Sequence, residues 1–135
     1  MFIYNHRVKY YETDKMGFTH HSNYIRMMEE ARIDLMDKLG ISYRKCEEMG
    51  IISPVLAVNC RYKKNTTFDD DIEIEVKLVK YDGIKLNFEY VMKVADKIVL
   101  VGSSEHCFLN KDGVPARIKR DYPEINAIFE KCVEQ

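Results

Sequence analysis

Ser22-Asn23-Tyr24-Ile25-Arg26-Met27-Met28-Glu29-Glu30-Ala31-Arg32-Ile33-Asp34-Leu35-Met36-Asp37-Lys38-Leu39-Gly40 is the stretch on which the fold turns. Tyr24, Met27, Met28, Ala31, Leu35 and Leu39 recur at helical spacing, and Ile25 and Met36 widen the apolar stripe. Arg26, Glu29, Arg32, Asp37 and Lys38 occupy the opposite positions. Ser22 or Asn23 suits the N-cap, where a side-chain oxygen satisfies an unpaired amide, and Gly40 suits the left-handed stop. A helix this long with so broad an apolar stripe is expected to lie against a sheet.

The flanking sequence supplies that sheet. Downstream, Tyr43 to Glu48 reads as a short helix ending at Gly50, and Val55 to Tyr62 as an apolar strand with interruptions. Ile72, Ile74, Val76 and Leu78 alternate with Glu73, Glu75 and Lys77, the period of a half-buried strand. Asp82-Gly83 turns the chain into Ile84 to Val94, and Ala95-Asp96-Lys97 turns it into Ile98 to Leu109. Pro123 to Val133 forms a last amphipathic helix. Upstream, Phe2 to Tyr11 reads as a strand that breaks at Glu12-Thr13-Asp14-Lys15-Met16-Gly17. Helices do not alternate with the later strands, so the class is α+β: one long helix packed on a curled antiparallel sheet of about five strands. No repeat or linker divides residues 1–135, which read as a single domain with no room for a separate cofactor domain.

Composition excludes several functions. The chain has 135 residues and a formal net charge of −1. It lacks the basic excess of a nucleic-acid binder and the polybasic tail of a membrane-surface protein. No apolar run approaches a membrane span, and the polar N-terminus has no signal-peptide core. The four cysteines, Cys46, Cys60, Cys107 and Cys132, match no zinc or disulfide spacing and read as small core residues. A soluble, reducing, cytoplasmic setting is expected.

Chemistry concentrates between Tyr10 and Arg32. Glu12, Asp14, His20, His21 and Gly17 precede the helix start, where unpaired N–H groups and the positive end of the helix dipole can hold an oxygen gaining charge. A carboxylate just upstream could attack that carbonyl or activate water. From the residues alone, Asp14 suits a turn that bonds its own loop better than a reacting role. His20 and His21 likewise suit a cap or surface pair better than a catalytic one. A metal held by His20, His21 and Glu12 would lack a further ligand at recognised spacing, so no metal is expected.

The same stretch resembles the signature of the hotdog-fold acyl-CoA thioesterases grouped with 4-hydroxybenzoyl-CoA thioesterase and the YbgC-like enzymes. The matching features are Tyr10, Thr13-Asp14, Gly17, His21, Asn23-Tyr24, Glu29 or Glu30, and Ala31-Arg32. A looser similarity covers nearly the whole chain, with Arg61-Tyr62 leading to Asp69-Asp70 and the last strand ending at Asp112-Gly113. The resemblance implies a hotdog fold and hydrolysis of an acyl-CoA thioester, with CoA as part of the substrate and no other cofactor. It implies that Asp14 is the catalytic nucleophile or general base, and that backbone N–H groups from Gly17 to His21 hold the thioester oxygen. His21 would form a polar wall, and Tyr24 would pack and position. Glu30 and Arg32 would be structural, as a helix ion pair or dimer contact. A homodimer, or a tetramer built from it, would share the site, with Asn59 a contact from the second subunit and Arg61, Lys63 and Lys64 meeting CoA phosphates. Lys15-Met16 and Thr19-His20 depart from the family pattern near the expected acyl pocket, so acyl preference does not carry over. Hydrolysis of an acyl carrier protein thioester and non-catalytic acyl-CoA binding are the rival functions.

Overall fold

The computed structural model describes residues 2–134. β1 (Phe2–Arg7) leads through a 3-10 turn (Tyr10–Glu12) to α1 (Ser22–Leu39) and α2 (Tyr43–Glu48). β2 (Val55–Tyr62), β3 (Asp71–Tyr81), β4 (Lys85–Val94) and β5 (Lys97–Cys107) follow, and α3 (Ile118–Asp121) and α4 (Pro123–Glu134) close the chain. The five strands form one antiparallel sheet in the order β1-β3-β4-β5-β2, which leaves β1 and β2 as its edges. This is the α+β hotdog arrangement, with the long helix against the sheet.

Period-two alternation builds the inner face. Ile72, Ile74, Val76 and Leu78 of β3 and Leu86, Phe88, Tyr90 and Met92 of β4 are buried, as are Tyr24, Met27, Met28, Ala31, Leu35 and Met36 of α1. A bulge between Leu78 and Lys80 sets Tyr81 opposite Leu86, which turns the Tyr81 ring inward onto Phe129 of α4, 5.2 Å between centroids. The turns use their predicted chemistry. Asp82 Oδ1 accepts the N–H groups of Ile84 and Lys85 at 2.9 and 2.7 Å, and Gly40 adopts φ 84° after the last turn of α1.

Gly102 of β5 sets how closely the helix approaches the sheet. A Cβ there would lie 2.5 Å from the Met28 terminal carbon and 2.7 Å from the Asn59 carbonyl oxygen. The methionine tip can rotate away, but the backbone oxygen cannot. Gly102→Ala is expected to cost about 1–3 kcal/mol by overpacking, read as a fall in the urea midpoint at constant m-value.

Several expectations need correction. The first strand ends at Arg7 rather than Tyr11, because the Glu12 carboxylate accepts the Lys9 N–H at 2.7 Å and winds the chain into the 3-10 turn. Neither Ser22 nor Asn23 caps α1; His21 holds the cap position in a helical conformation without a side-chain cap bond. Asn23 instead donates its amide to the Glu12 carbonyl at 2.8 Å, tying the helix to the loop. Ile25 lies 43% exposed, whereas Arg32, assigned to the polar face, is buried. Arg32 reaches across to the Tyr90 hydroxyl, and Glu30 pairs with His6, so the two do not form a helix ion pair. Of the cysteines, Cys46 and Cys132 are buried, while Cys60 and Cys107 are half-buried.

Candidate active site

The loop before α1 is a self-contained turn. Asp14 Oδ1 accepts the Met16 and Phe18 N–H groups at 2.9 and 3.2 Å. The Asp14 N–H bonds the Phe18 carbonyl at 2.7 Å, and the Gly17 N–H bonds the Asp14 carbonyl at 3.0 Å. Gly17 takes φ 85°, a left-handed backbone that a side chain disfavours. A Thr13–Thr19 bridge closes the loop, so the half-buried Asp14 is held beside the segment that enters α1. Its second oxygen, Oδ2, accepts no hydrogen bond among the described residues. The turn role of Asp14 is therefore real, and it leaves one carboxylate oxygen available.

The backbone amides following Asp14 are mostly engaged. Gly17 N–H and Phe18 N–H serve the turn. Thr19 N–H bonds the Thr66 carbonyl and His20 N–H the Glu12 carbonyl, both at 2.8 Å. From Gly17 to His21, only the His21 N–H has no partner among the described residues. It stands at the head of α1, where the helix dipole favours a developing negative charge. The His20 and His21 rings stack with centroids 4.3 Å apart on the exposed surface, and His20 Nδ1 lies 2.9 Å from the Ser22 hydroxyl.

Two buried clusters brace this end of the molecule. His6 Nε2 lies 2.8 Å from Glu12 Oε1, and His6 Nδ1 lies 3.1 Å from Glu30 Oε2, so the ring stands between two carboxylates. Burial opposes ionisation of Glu12, but the Lys9 N–H and the His6 ring outweigh it and hold the carboxyl below the usual range. Glu12 is thereby committed away from any ligand shared with His20 and His21. In the second cluster the Tyr24 hydroxyl meets Thr66 Oγ1 at 2.8 Å, and Thr66 Oγ1 meets Thr19 Oγ1 at 2.6 Å. Tyr24 is thus buried and hydrogen-bonded in the first helical turn, its ring 5.6 Å from that of Tyr62.

The remaining candidates divide. Lys63 and Lys64 lie between Tyr62 and Thr66, whose side chains both touch Tyr24, so the fold brings these lysines to the Asp14 end. Arg61 precedes them, exposed at the end of β2. Asn59 lies exposed farther along β2, opposite Ser103, and within one chain it makes no side-chain contact with the loop among the described bonds. Tyr90, Ser104 and His106, which no motif in the sequence singles out, join Arg32 through hydrogen bonds beneath α1. Ser104 and His106 share the alternating face of Leu100 and Phe108, and two polar residues on that apolar period were the available signal.

Residues 8–126 match the model of the thioesterase-like superfamily. The chain belongs to that superfamily, and its enzyme class is thioester hydrolase. A candidate esterase of Aquifex aeolicus strain VF5 is 36% identical over 124 residues, 92% of this chain and 96% of the relative. A candidate acyl-CoA thioesterase of Bacillus subtilis strain 168, YneP, is 30% identical over 127 residues, 93% of this chain and 92% of the relative. The crystal structure of a DHNA-CoA thioesterase from Staphylococcus aureus superposes with a TM-score of 0.91 at 33% identity, covering 96% of this chain and 88% of that one.

Proposed function

We propose that this protein hydrolyses acyl-CoA thioesters, using Asp14 as the reacting carboxylate and the His21 N–H as a donor to the thioester oxygen. The observation that carries this is the pairing of one engaged and one open carboxylate oxygen on Asp14 with a single unpartnered amide at the head of α1. Asp14 Oδ2 either attacks the thioester carbonyl and expels the CoA thiolate, giving a mixed anhydride that water then cleaves to the acid and free Asp14, or takes a proton from a water that attacks the carbonyl and expels the same thiolate. In both routes negative charge develops on the carbonyl oxygen and the His21 amide stabilises it. His21's ring lines the approach, and Arg61, Lys63 and Lys64 supply positive charge for the CoA phosphates.

The active unit is a homodimer joined along β2. That edge strand exposes Val55, Leu56, Val58 and Tyr62 at 51%, 48%, 37% and 49%, an apolar edge that a soluble chain normally covers. Antiparallel pairing of two β2 edges sets the Val55 end of one copy beside the Tyr62 end of the other, and brings Asn59 to the shared site. Light scattering should give a dimer or a tetramer made of two such dimers, and an active monomer overturns the shared site. The four free thiols suit a cytoplasmic setting.

The amide can be tested apart from its ring. His21 has φ −55°, which proline adopts without strain, and the head of a helix tolerates it. His21→Pro, which deletes the N–H, is expected to lower kcat about a hundredfold. His21→Ala keeps the N–H and should lose only a small part. Equal activity of the two variants in a thiol-release assay removes the His21 amide from the mechanism.

A further inference from the structure

A cavity of ≈ 220 Å³ lies under α1, lined by Met36, Tyr43 and Cys46 on the helix side, by Ile51 and Ser53 before β2, and by Phe88 and His106 on the sheet. An apolar cavity of about 150 Å³ accepts benzene, so this one has room for a six-carbon tail with a substituent. One wall is polar in a directed way. Arg32 can only donate, and its Nη1 lies 3.0 Å from the Tyr90 hydroxyl. Tyr90 therefore donates onward to Ser104 Oγ at 2.6 Å, and Ser104 donates to His106 Nε2 at 2.7 Å. Any other direction leaves either the Tyr90 or the Ser104 proton buried without an acceptor. The chain of bonds thus fixes the neutral His106 ring with its proton on Nδ1.

That Nδ1 has no protein partner. Among the described residues the only sealed side-chain atom without a bond is Arg32 Nε, so the unpaired Nδ1–H of His106 is open to the cavity it lines. His106 itself is 2% exposed. Burial and the nearby Arg32 charge hold its basicity down to about 4, so the ring is a neutral donor at ordinary pH rather than a cation. The carboxylates at the cavity are Glu29 and Glu47, both exposed, and they disfavour a second negative charge there.

We propose that this cavity takes the acyl tail of the substrate and that His106 Nδ1–H selects tails bearing a neutral oxygen, a hydroxyl or ketone, over plain alkyl and carboxylate tails. The proposal rests on the acyl-CoA reading above. In the β2-paired dimer the cavity lies at the Val55 end, since Val55 pairs with His106, and so beside the other copy's Asp14 loop.

The test compares kcat/KM for hexanoyl-, 6-hydroxyhexanoyl-, 5-oxohexanoyl- and adipoyl-CoA in the wild type, His106→Phe and Ser104→Ala. The wild type should favour the hydroxy and oxo tails about tenfold over hexanoyl, the size of one neutral hydrogen bond, and reject adipoyl. His106→Phe should bring the ratio near one while still hydrolysing hexanoyl-CoA. Ser104→Ala, a smaller change that loosens the ring orientation, should lower the ratio about threefold and folds even where the first variant does not. No preference in the wild type, or an unchanged ratio in the variants that fold, overturns the proposal. Should no thioester turn over, the acyl-CoA reading fails, and nitrogen-15 NMR of His106 with 6-hydroxyhexanoic acid still decides the cavity. A shift at Nδ1 that hexanoic acid does not produce supports it, and no shift at millimolar acid overturns it.

Discussion

Asp14→Asn should lower kcat for acyl-CoA hydrolysis about a thousandfold, within the range for loss of a positioned base or nucleophile, with little change in stability. The asparagine keeps a carbonyl oxygen that can accept the Met16 and Phe18 amides, as Oδ1 does now, so the turn closes and Gly17 retains its left-handed backbone. What is lost is the basic oxygen on the other side. Thiol release measured alongside the urea midpoint separates the two roles. Wild-type turnover in Asp14→Asn sinks the mechanism, and a large stability loss would mean that the turn also depends on the carboxylate's charge.

The second large effect is on stability as acid is added. An unfolded His106 takes up its proton near pH 6.5, whereas the folded ring does so near 4, chiefly because of burial and then because of Arg32. Above pH 6.5 neither state carries this proton, and the group has no pH-dependent effect. Between 6.5 and 4 the unfolded chain binds a proton that the folded chain refuses, so stability falls as pH falls, and below 4 the loss stops. The total is about 3 kcal/mol, from 1.36 kcal/mol per unit. The charged and titratable groups around the ring are Arg32 and Glu29 of α1, Tyr43, Cys46 and Glu47 of α2 and Tyr90 of β4. Glu12 adds a separate loss at lower pH: its depressed folded value favours folding above the ordinary carboxylate range, and that contribution vanishes as pH drops through it. Urea midpoints of wild type and His106→Phe between pH 7.5 and 4 isolate the histidine. The two proteins should converge by about 3 kcal/mol over that interval, and parallel curves refute the assignment.

Much of the fold was legible because its signals are local. The stripe of α1, the alternation of β3, and the turns at Asp82-Gly83 and Gly40 each depend on residues a few positions apart. The misassignments share the opposite cause. Arg32 looks like a surface residue until Tyr90, 58 positions later, comes within reach. Glu12 looks like a loop acid until His6 and the Lys9 amide claim it. The site was legible as a stretch but not as a geometry. The family resemblance implies oxygen-holding amides from Gly17 through His21, yet Thr66 and Glu12 take two of them through contacts that spacing does not reveal. Asp14 was framed as a turn residue or a reacting one, and the bonds to its two oxygens are compatible with both roles at once.

That unequal pair of oxygens has an isotopic consequence. With Oδ1 fixed by two amides, only Oδ2 can enter a mixed anhydride. If water then attacks Asp14 Cγ, the released acid departs with Oδ2 and an oxygen from water takes its position. Repeated turnover in oxygen-18 water would leave one heavy oxygen on Asp14 and never two, because the tethered oxygen has no turn at leaving. A carboxylate that acts only on water would acquire none.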